Sequence, residues 1–243
     1  VSYSLQLYSL RDAMAADLPG TLTRVAGIGY SAVEPYNFVA TADQLRDAFE
    51  ANGLSAPSGH APLLREDQDE IFAAAATLGI GTVIDPFVAP ELWTSVDAIR
   101  ATADKLNAAA ARGAGHGIRV GYHNHWFELE STFDGKFGLE VLADHLDPAV
   151  VLEVDTYWAQ VGGADPAALL RSLGDRVKFI HIKDGPATKE PGDQVAVGSG
   201  TLPIWDIIEA AGSIDAGVVE LDDFAGDMFT AVTDSLNFLE GGK

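Results

Sequence analysis

The chain has 243 residues, 47% of them hydrophobic and 21% charged, with a formal net charge of −21 from 36 acidic and 15 basic side chains. A chain of that length buries roughly 70–75% of its unfolded surface and needs no disulfide or structural metal for bulk stability; without a single cysteine, thiol nucleophiles, Cys-ligated zinc, iron–sulfur clusters and disulfides are excluded. So acidic a surface repels phosphate backbones and anionic lipid, which argues against nucleic acid and membrane as partners and disfavours a highly anionic substrate.

The opening VSYSLQLYSLRD carries neither a charged leader nor a long apolar run, so a cytoplasmic protein is expected. From there short apolar strands alternate with Ala/Leu-rich helical stretches. In chain order the strands are expected at 3–7, 32–35, 55–60, 82–86, 119–125, 150–156, 177–184 and 218–221. The helices fall at 18–28, 41–52, 67–78, 95–111, 137–146, 165–173, 202–211 and 228–239. AANG, TLGIG and ARGAG read as glycine stops, and Asp165 before Pro166 as an N-cap followed by proline at the first helical position. Eight β/α units imply an α/β fold, a (β/α)8 TIM barrel, as a single domain over 1–243. A doubly wound sheet is the structural alternative.

Residues two apart on a strand share a face. Strand five then sets Ile118, Val120 and Tyr122 against Gly121, His123 and His125, and strand six sets Leu152 and Val154 against Val151, Glu153 and Asp155. Strand seven sets Ile180 and Ile182 against Phe179, His181 and Lys183, and strand eight sets Val219 and Leu221 against Val218, Glu220 and Asp222. The apolar set belongs against the helices. The other set points inward, and its polar members gather at the C-terminal strand ends where barrel active sites lie. Gln6, Tyr8, Glu34, His60 and Asp85 are expected at similar positions on the earlier strands. An inert hydrogen-bond network is the bland alternative. Against it, unpaired buried charges cost several kcal/mol each, whereas a divalent ion offsets the mutual repulsion of Glu153, Asp155 and Glu220. Mixed carboxylate and imidazole donors suit Mn, Co, Mg or Zn without choosing among them.

Several stretches, in this order and at these spacings, resemble the sugar phosphate isomerase/epimerase family of xylose isomerase-like TIM barrels. They are LQLYSLRD at 5–12, GYSAVEPYNF at 29–38, GYHNHWFEL at 121–129, LEVDTYWAQVGGADP at 152–166, RVKFIHIKDG at 176–185, GSGTLPIWDII at 198–208 and VVELDD at 218–223. The resemblance implies a metal held by Asp155, His181 and Glu220, with His123 standing where many relatives carry a strand-five glutamate. That departure leaves the acid–base pair as Glu220 with His123, or Glu220 with Glu128 from the following loop. His125 is a candidate ligand, catalytic group or substrate contact. Glu153 is expected to orient His123 rather than ligate. Lys183 would polarise a carbonyl or simply pair with Glu220 or Asp155. Gln6, Tyr8, Glu34 and His60 would meet sugar hydroxyls, and Trp158 would stack on a sugar face or pack in the core.

The implied chemistry is proton abstraction beside a carbonyl of a small sugar or keto-sugar through an enediolate, giving isomerisation or epimerisation. A lyase, dehydratase or hydratase on a keto-sugar or inosose is the runner-up. An endonuclease IV-like nuclease and a non-catalytic sugar-binding barrel are the more distant alternatives. Arginine and lysine are sparse near the strand ends, Arg11 and Lys183 excepted, so no side-chain phosphate clamp is expected; backbone amides of the 198–200 loop are the remaining candidates to receive a phosphate. Homo-oligomerisation is left open.

Overall fold

Eight parallel strands form the centre of the computed structural model, which describes residues 1–242. They are β1 Tyr3–Gln6, β2 Val33–Glu34, β3 Ser58–His60, β4 Thr82–Asp85, β5 Arg119–His123, β6 Val150–Asp155, β7 Val177–Ile182 and β8 Ala216–Val219. Hydrogen-bonded neighbours run β2-β1-β8-β7-β6-β5-β4-β3. The remaining seam is spanned by parallel bridges Ala32↔Ser55 and Tyr36↔His60, with Val33 N–H donating to Ser55 O at 2.8 Å and His60 N–H to Pro35 O at 2.8 Å. The sheet therefore curls round on itself as a (β/α)8 TIM barrel, not a doubly wound sheet.

Around it lie α1 Leu18–Ile28, α2 Ala42–Asn52, α3 Gln68–Leu78, α4 Val96–Ala114, α5 Gly138–His145, α6 Pro166–Leu173, α7 Ile204–Ala211 and α8 Met228–Gly241. Their starts follow local chemistry: the Asp165 carboxylate accepts from Ala168 N–H at 2.7 Å ahead of Pro166. Stops follow glycine: Gly53 and Gly79 cap α2 and α3 in the left-handed region, at φ 64° and 70°.

The apolar strand faces divide into two compartments. Val120, Tyr122, Leu152, Val154, Ile180 and Ile182 are fully buried between sheet and helices. Ile84, Phe179 and Ala216 form a separate plug inside the barrel, beneath the polar groups described below.

Three departures from the sequence expectations shape the site. Strand five ends at His123, because His125 N–H turns away to the Glu128 carboxylate at 2.9 Å instead of a neighbouring strand. Strand eight is shifted towards its N-terminus, so Glu220 and Asp222 stand just beyond it on the rim. Asp85 does not point inward: its neighbour Ile84 is the residue in register with His60 and Gly121. The Asp85 carboxylate faces the other way and accepts from Leu64 N–H at 2.9 Å and Phe87 N–H at 3.0 Å, holding the loops after β3 and β4.

Candidate metal centre

Register brings the polar groups together. Across β5 and β6, His123 pairs with Glu153; across β6 and β7, Asp155 pairs with His181; across β7 and β8, His181 pairs with Val218, two residues before Glu220. A β-bulge between β6 and β7 breaks the ladder at Leu152/Glu153, so that Glu153 meets Phe179 and the alternation on both strands turns Glu153, Asp155, Phe179 and His181 inward together.

One ligand atom each from Asp155, His181 and Glu220 lies within 4.8 Å of the others. His181 Nδ1 is 2.8 Å from Glu220 Oε2, and its Nε2 is 2.8 Å from Glu34 Oε1 and 3.1 Å from Glu153 Oε2. Burial alone would lower the His181 pKa, but the Glu153 and Glu220 carboxylates raise it well above the usual imidazole range. His123 behaves oppositely: burial, then the His181 charge, holds it well below that range, so it is a neutral imidazole. Its Nδ1 lies 3.1 Å from Glu153 Oε2 and its Nε2 3.9 Å from Asp155 Oδ2. A neutral imidazole whose one nitrogen is tied to a carboxylate presents the lone pair of the other, which is how histidines are oriented towards metals.

Asp155 divides its carboxylate between two tasks. Oδ1 caps the short helix Thr156–Val161 by accepting from Trp158 N–H at 2.8 Å. Oδ2 is buried and makes no directed hydrogen bond, although the Lys183 ammonium is 2.9 Å away and off-line. Burial pushes Asp155 up to about 6 against the pull of Lys183. A buried carboxylate oxygen lacking a directed partner, beside an imidazole and a second carboxylate, fits a divalent cation. Asp155, Glu220 and His181 would hold it, the histidine giving up the proton that its carboxylate neighbours favour in the metal-free state, with His123 as the neighbouring nitrogen donor. A deeper set of possible donors, His60, His123, Glu153 and His181, also lies within 4.8 Å, and there Glu153 Oε2 is 2.6 Å from His60 Nε2.

Lys183 is buried and bound on three sides, 2.9 Å from Asp155, 2.7 Å from Glu220 and 2.6 Å from Asp222. Burial would lower its pKa, but these three carboxylates raise it well above the usual ammonium range. Burial would likewise raise Glu220, yet Lys183 and His181 hold it well below the usual carboxylate range.

Above the cluster opens a cavity of about 240 Å³, lined by Tyr8, Tyr36, Asn37, His60, Pro86, Phe87, His123, His125, Glu220 and Asp222. The other expected groups stand behind this wall. Gln6 donates to Glu34 Oε1 at 2.8 Å, and both are fully buried. Trp158, 2% exposed, packs on Trp126 and lies 5.4 Å below the Lys183 ammonium. Glu128 is fully buried, accepting from Tyr122 O–H at 2.6 Å and from His125 N–H. Sequence reasoning passed over Tyr36, Asn37 and Phe87 as site residues; the turn-forming EPYN and DPF stretches were the available signal. Asp222 lay in the inward phase of strand eight, and that alone was enough to nominate it.

The sequence pattern of the xylose isomerase-like TIM barrel family matches residues 22–240. The chain belongs to this family. Members of the xylose isomerase-like family are generally enzymes. A sugar phosphate isomerase/epimerase from Parabacteroides distasonis superposes with a TM-score of 0.84 at 24% identity, over 99% of this chain and 93% of that one. The probable 3-DHS dehydratase AsbF of Bacillus anthracis gives 0.79 at 16% identity, covering 100% of each chain. An IOLI protein with a bound zinc atom gives 0.76 at 15% identity, over 99% and 97%. At such identities the likeness establishes the shared fold. No curated protein matches the sequence. Among the described residues no helix is long and apolar enough to cross a membrane.

Within this xylose isomerase-like barrel, Glu128 gives a test of the loop that carries His125. Burial raises its pKa to about 8, so it stays protonated where the unfolded chain has already ionised. The folded state therefore binds the extra proton, and stability falls as pH climbs from the ordinary carboxylate range towards about 8. Glu128→Gln mimics the neutral form, and urea unfolding should show that it flattens this decline. A variant with the wild-type slope contradicts the assignment.

Proposed function

We propose that this protein is a divalent-metal-dependent enzyme that removes a proton beside the carbonyl of a sugar or keto-sugar, with isomerisation or epimerisation as the outcome. The observation that carries this reading is the convergence of Asp155, His181 and Glu220 with a neutral His123 at the C-terminal mouth of the barrel, under a cavity of about 240 Å³. A bound Mn, Co, Mg or Zn ion would polarise the carbonyl and offset negative charge as it develops on the enediolate.

The chain's own groups supply the rest. Glu220 borders the cavity and is ionised at neutral pH, so it is the carboxylate placed to take the proton, with its basicity moderated by the Lys183 and His181 charges that lower its pKa. Lys183, 2.7 Å away, holds that carboxylate in place and is the nearest ammonium to stabilise an alkoxide. His125, pushed down to about 4 by burial and then by Lys183, is neutral and borders the same cavity, where it serves as an uncharged hydrogen-bonding group for a hydroxyl. Tyr8 and His60 border the cavity too, while Gln6 and Glu34 fix the inner histidines from behind.

A second reading, elimination by a lyase or dehydratase, is favoured by one observation. Two-carboxylate epimerisation needs an acid facing Glu220, but His123 stands at the strand-five position and Glu128 is turned into the wall against Tyr122. Elimination needs only one base and a leaving group. The test is a panel of ketoses, inososes and 3-keto-glycosides with Mn, Co or Mg, followed by NMR in deuterated water. Deuterium entering an isomeric product supports isomerisation or epimerisation; loss of water or of a glycosyl group selects elimination. No exchange in any substrate with any ion overturns both readings in favour of a binding barrel.

A further inference from the structure

The connections after β1 and β2 enclose a second hollow, of about 190 Å³, beside the catalytic cavity. Buried Leu7, Pro35 and Leu45 form its floor, and half-buried Met14 and Leu18 form its walls. Leu7 and Pro35 directly follow β1 and β2, so the hollow opens at the same C-terminal face of the barrel as the candidate metal centre. Tyr36 and Asn37 line both this hollow and the cavity above that centre. The two spaces therefore meet along this pair, and the exposed Asn37 leaves the ridge between them open to solvent. The ridge itself is fixed: Asn37 N–H donates to the His60 carbonyl at 3.0 Å, and His60 N–H to that of Pro35 at 2.8 Å. The Tyr36 ring is braced edge-on against Tyr8, with 5.2 Å between their centres.

The two spaces differ in chemistry. The cavity carries Glu220, Asp222 and the rings of His60, His123 and His125, groups that suit hydroxyls. Among the described residues lining the hollow, Arg11 is the one charged side chain. Its guanidinium is already engaged, 4.5 Å over the Tyr8 ring and donating to the Tyr8 carbonyl at 3.1 Å. Water held against leucine, methionine and proline has few partners, and displacing such water by an apolar group gains affinity. Size narrows the occupant. An apolar cavity of about 150 Å³ takes up benzene, so a hollow of about 190 Å³ accommodates one six-membered aromatic ring. A second sugar ring fits less well, because hydroxyls packed on Leu7, Met14, Leu18 and Leu45 would lose water without finding partners.

We infer that this hollow is a subsite for an apolar aromatic ring joined to the reacting sugar, which makes aryl glycosides, and not bare monosaccharides, the preferred ligands. This rests on the reading of the cavity as a sugar site. It is tested on metal-loaded protein by calorimetric titration with the phenyl and methyl glycosides of one sugar, taken in pairs across glucose, galactose and xylose. In at least one pair the phenyl member should bind at least about tenfold more tightly, a difference of 1.4 kcal/mol; a smaller preference in every pair that binds overturns the inference. Met14→Trp then locates the effect, because the indole fills the hollow. The phenyl preference should fall to near unity in this variant; a preference that persists seats the ring elsewhere and overturns the subsite. Should Met14→Trp fail to fold, Ala15→Trp, at an exposed position on the same short helix Arg11–Ala16, takes its place. If no glycoside binds, the reading of the cavity as a sugar site fails, and phenol alone then decides about the hollow by saturation-transfer NMR. Transfer that wild type shows and the variant loses upholds the ring seat; no transfer, or equal transfer to both, overturns it.

Discussion

Lys183→Met is expected to lower the stability of metal-free protein by about 3–5 kcal/mol, the usual consequence of removing one partner from a buried ionic cluster. The ammonium is the one lysine or arginine charge within salt-bridge range of the Asp155, Glu220 and Asp222 carboxylates among the described residues. Methionine keeps most of its volume and none of its charge. The deficit should shrink as pH falls towards about 6, because without the pull of Lys183 the variant's Asp155 takes up its proton at a higher pH than in wild type, where that pKa is about 6. A divalent ion should recover more stability in the variant than in wild type, because it supplies the missing positive charge; at 100 times its dissociation constant, binding contributes about 2.7 kcal/mol. Urea unfolding with chelator and with Mn measures both effects. A variant as stable as wild type in chelator would show that the lysine does not hold the cluster together.

Asp155→Asn should fold and yet lose function. Asparagine caps helices about as well as aspartate, so the bond from Trp158 N–H to Oδ1 survives. What disappears is the charge on Oδ2, the buried oxygen without a directed partner. An amide there brings a donor towards Lys183 and the imidazoles where an acceptor is needed. The kcat on whichever sugar proves to be the substrate should drop by about 10²–10³-fold, the range typical of losing a group that stabilises transition-state charge. Far-UV circular dichroism should be unchanged. Retained activity would remove Asp155 from the active centre.

Much of this was legible in the sequence because strand alternation is a strict rule. Glu153, Asp155, His181 and Glu220 could be assigned to one interior from the phase of their apolar neighbours, and the structure gathers them there. The face was misjudged at Asp85: strand four lies where it is expected, but its inward phase falls on Ile84, and nothing local distinguishes the inward Ile84 from the outward Asp85. The rule was also silent about loops. Glu128 reads as a free loop carboxylate until Tyr122 and the His125 amide are seen to enclose it. Asp184 reads as one more rim acid until four amides from two separate stretches converge on it. Both depend on where a loop folds back, which periodicity does not encode.

A divalent cation seated by Asp155, His181 and Glu220 is the first requirement of the proposed reaction. The most direct measurement is the metal content of protein saturated with Mn, Co, Mg or Zn and freed of excess by gel filtration, determined by elemental mass spectrometry for wild type and Asp155→Asn. At least one tightly held equivalent of one of these ions per wild-type chain, lost in the variant, is the expected result. Metal-free wild type after saturation with all four, or a variant that retains the wild-type content, would contradict it.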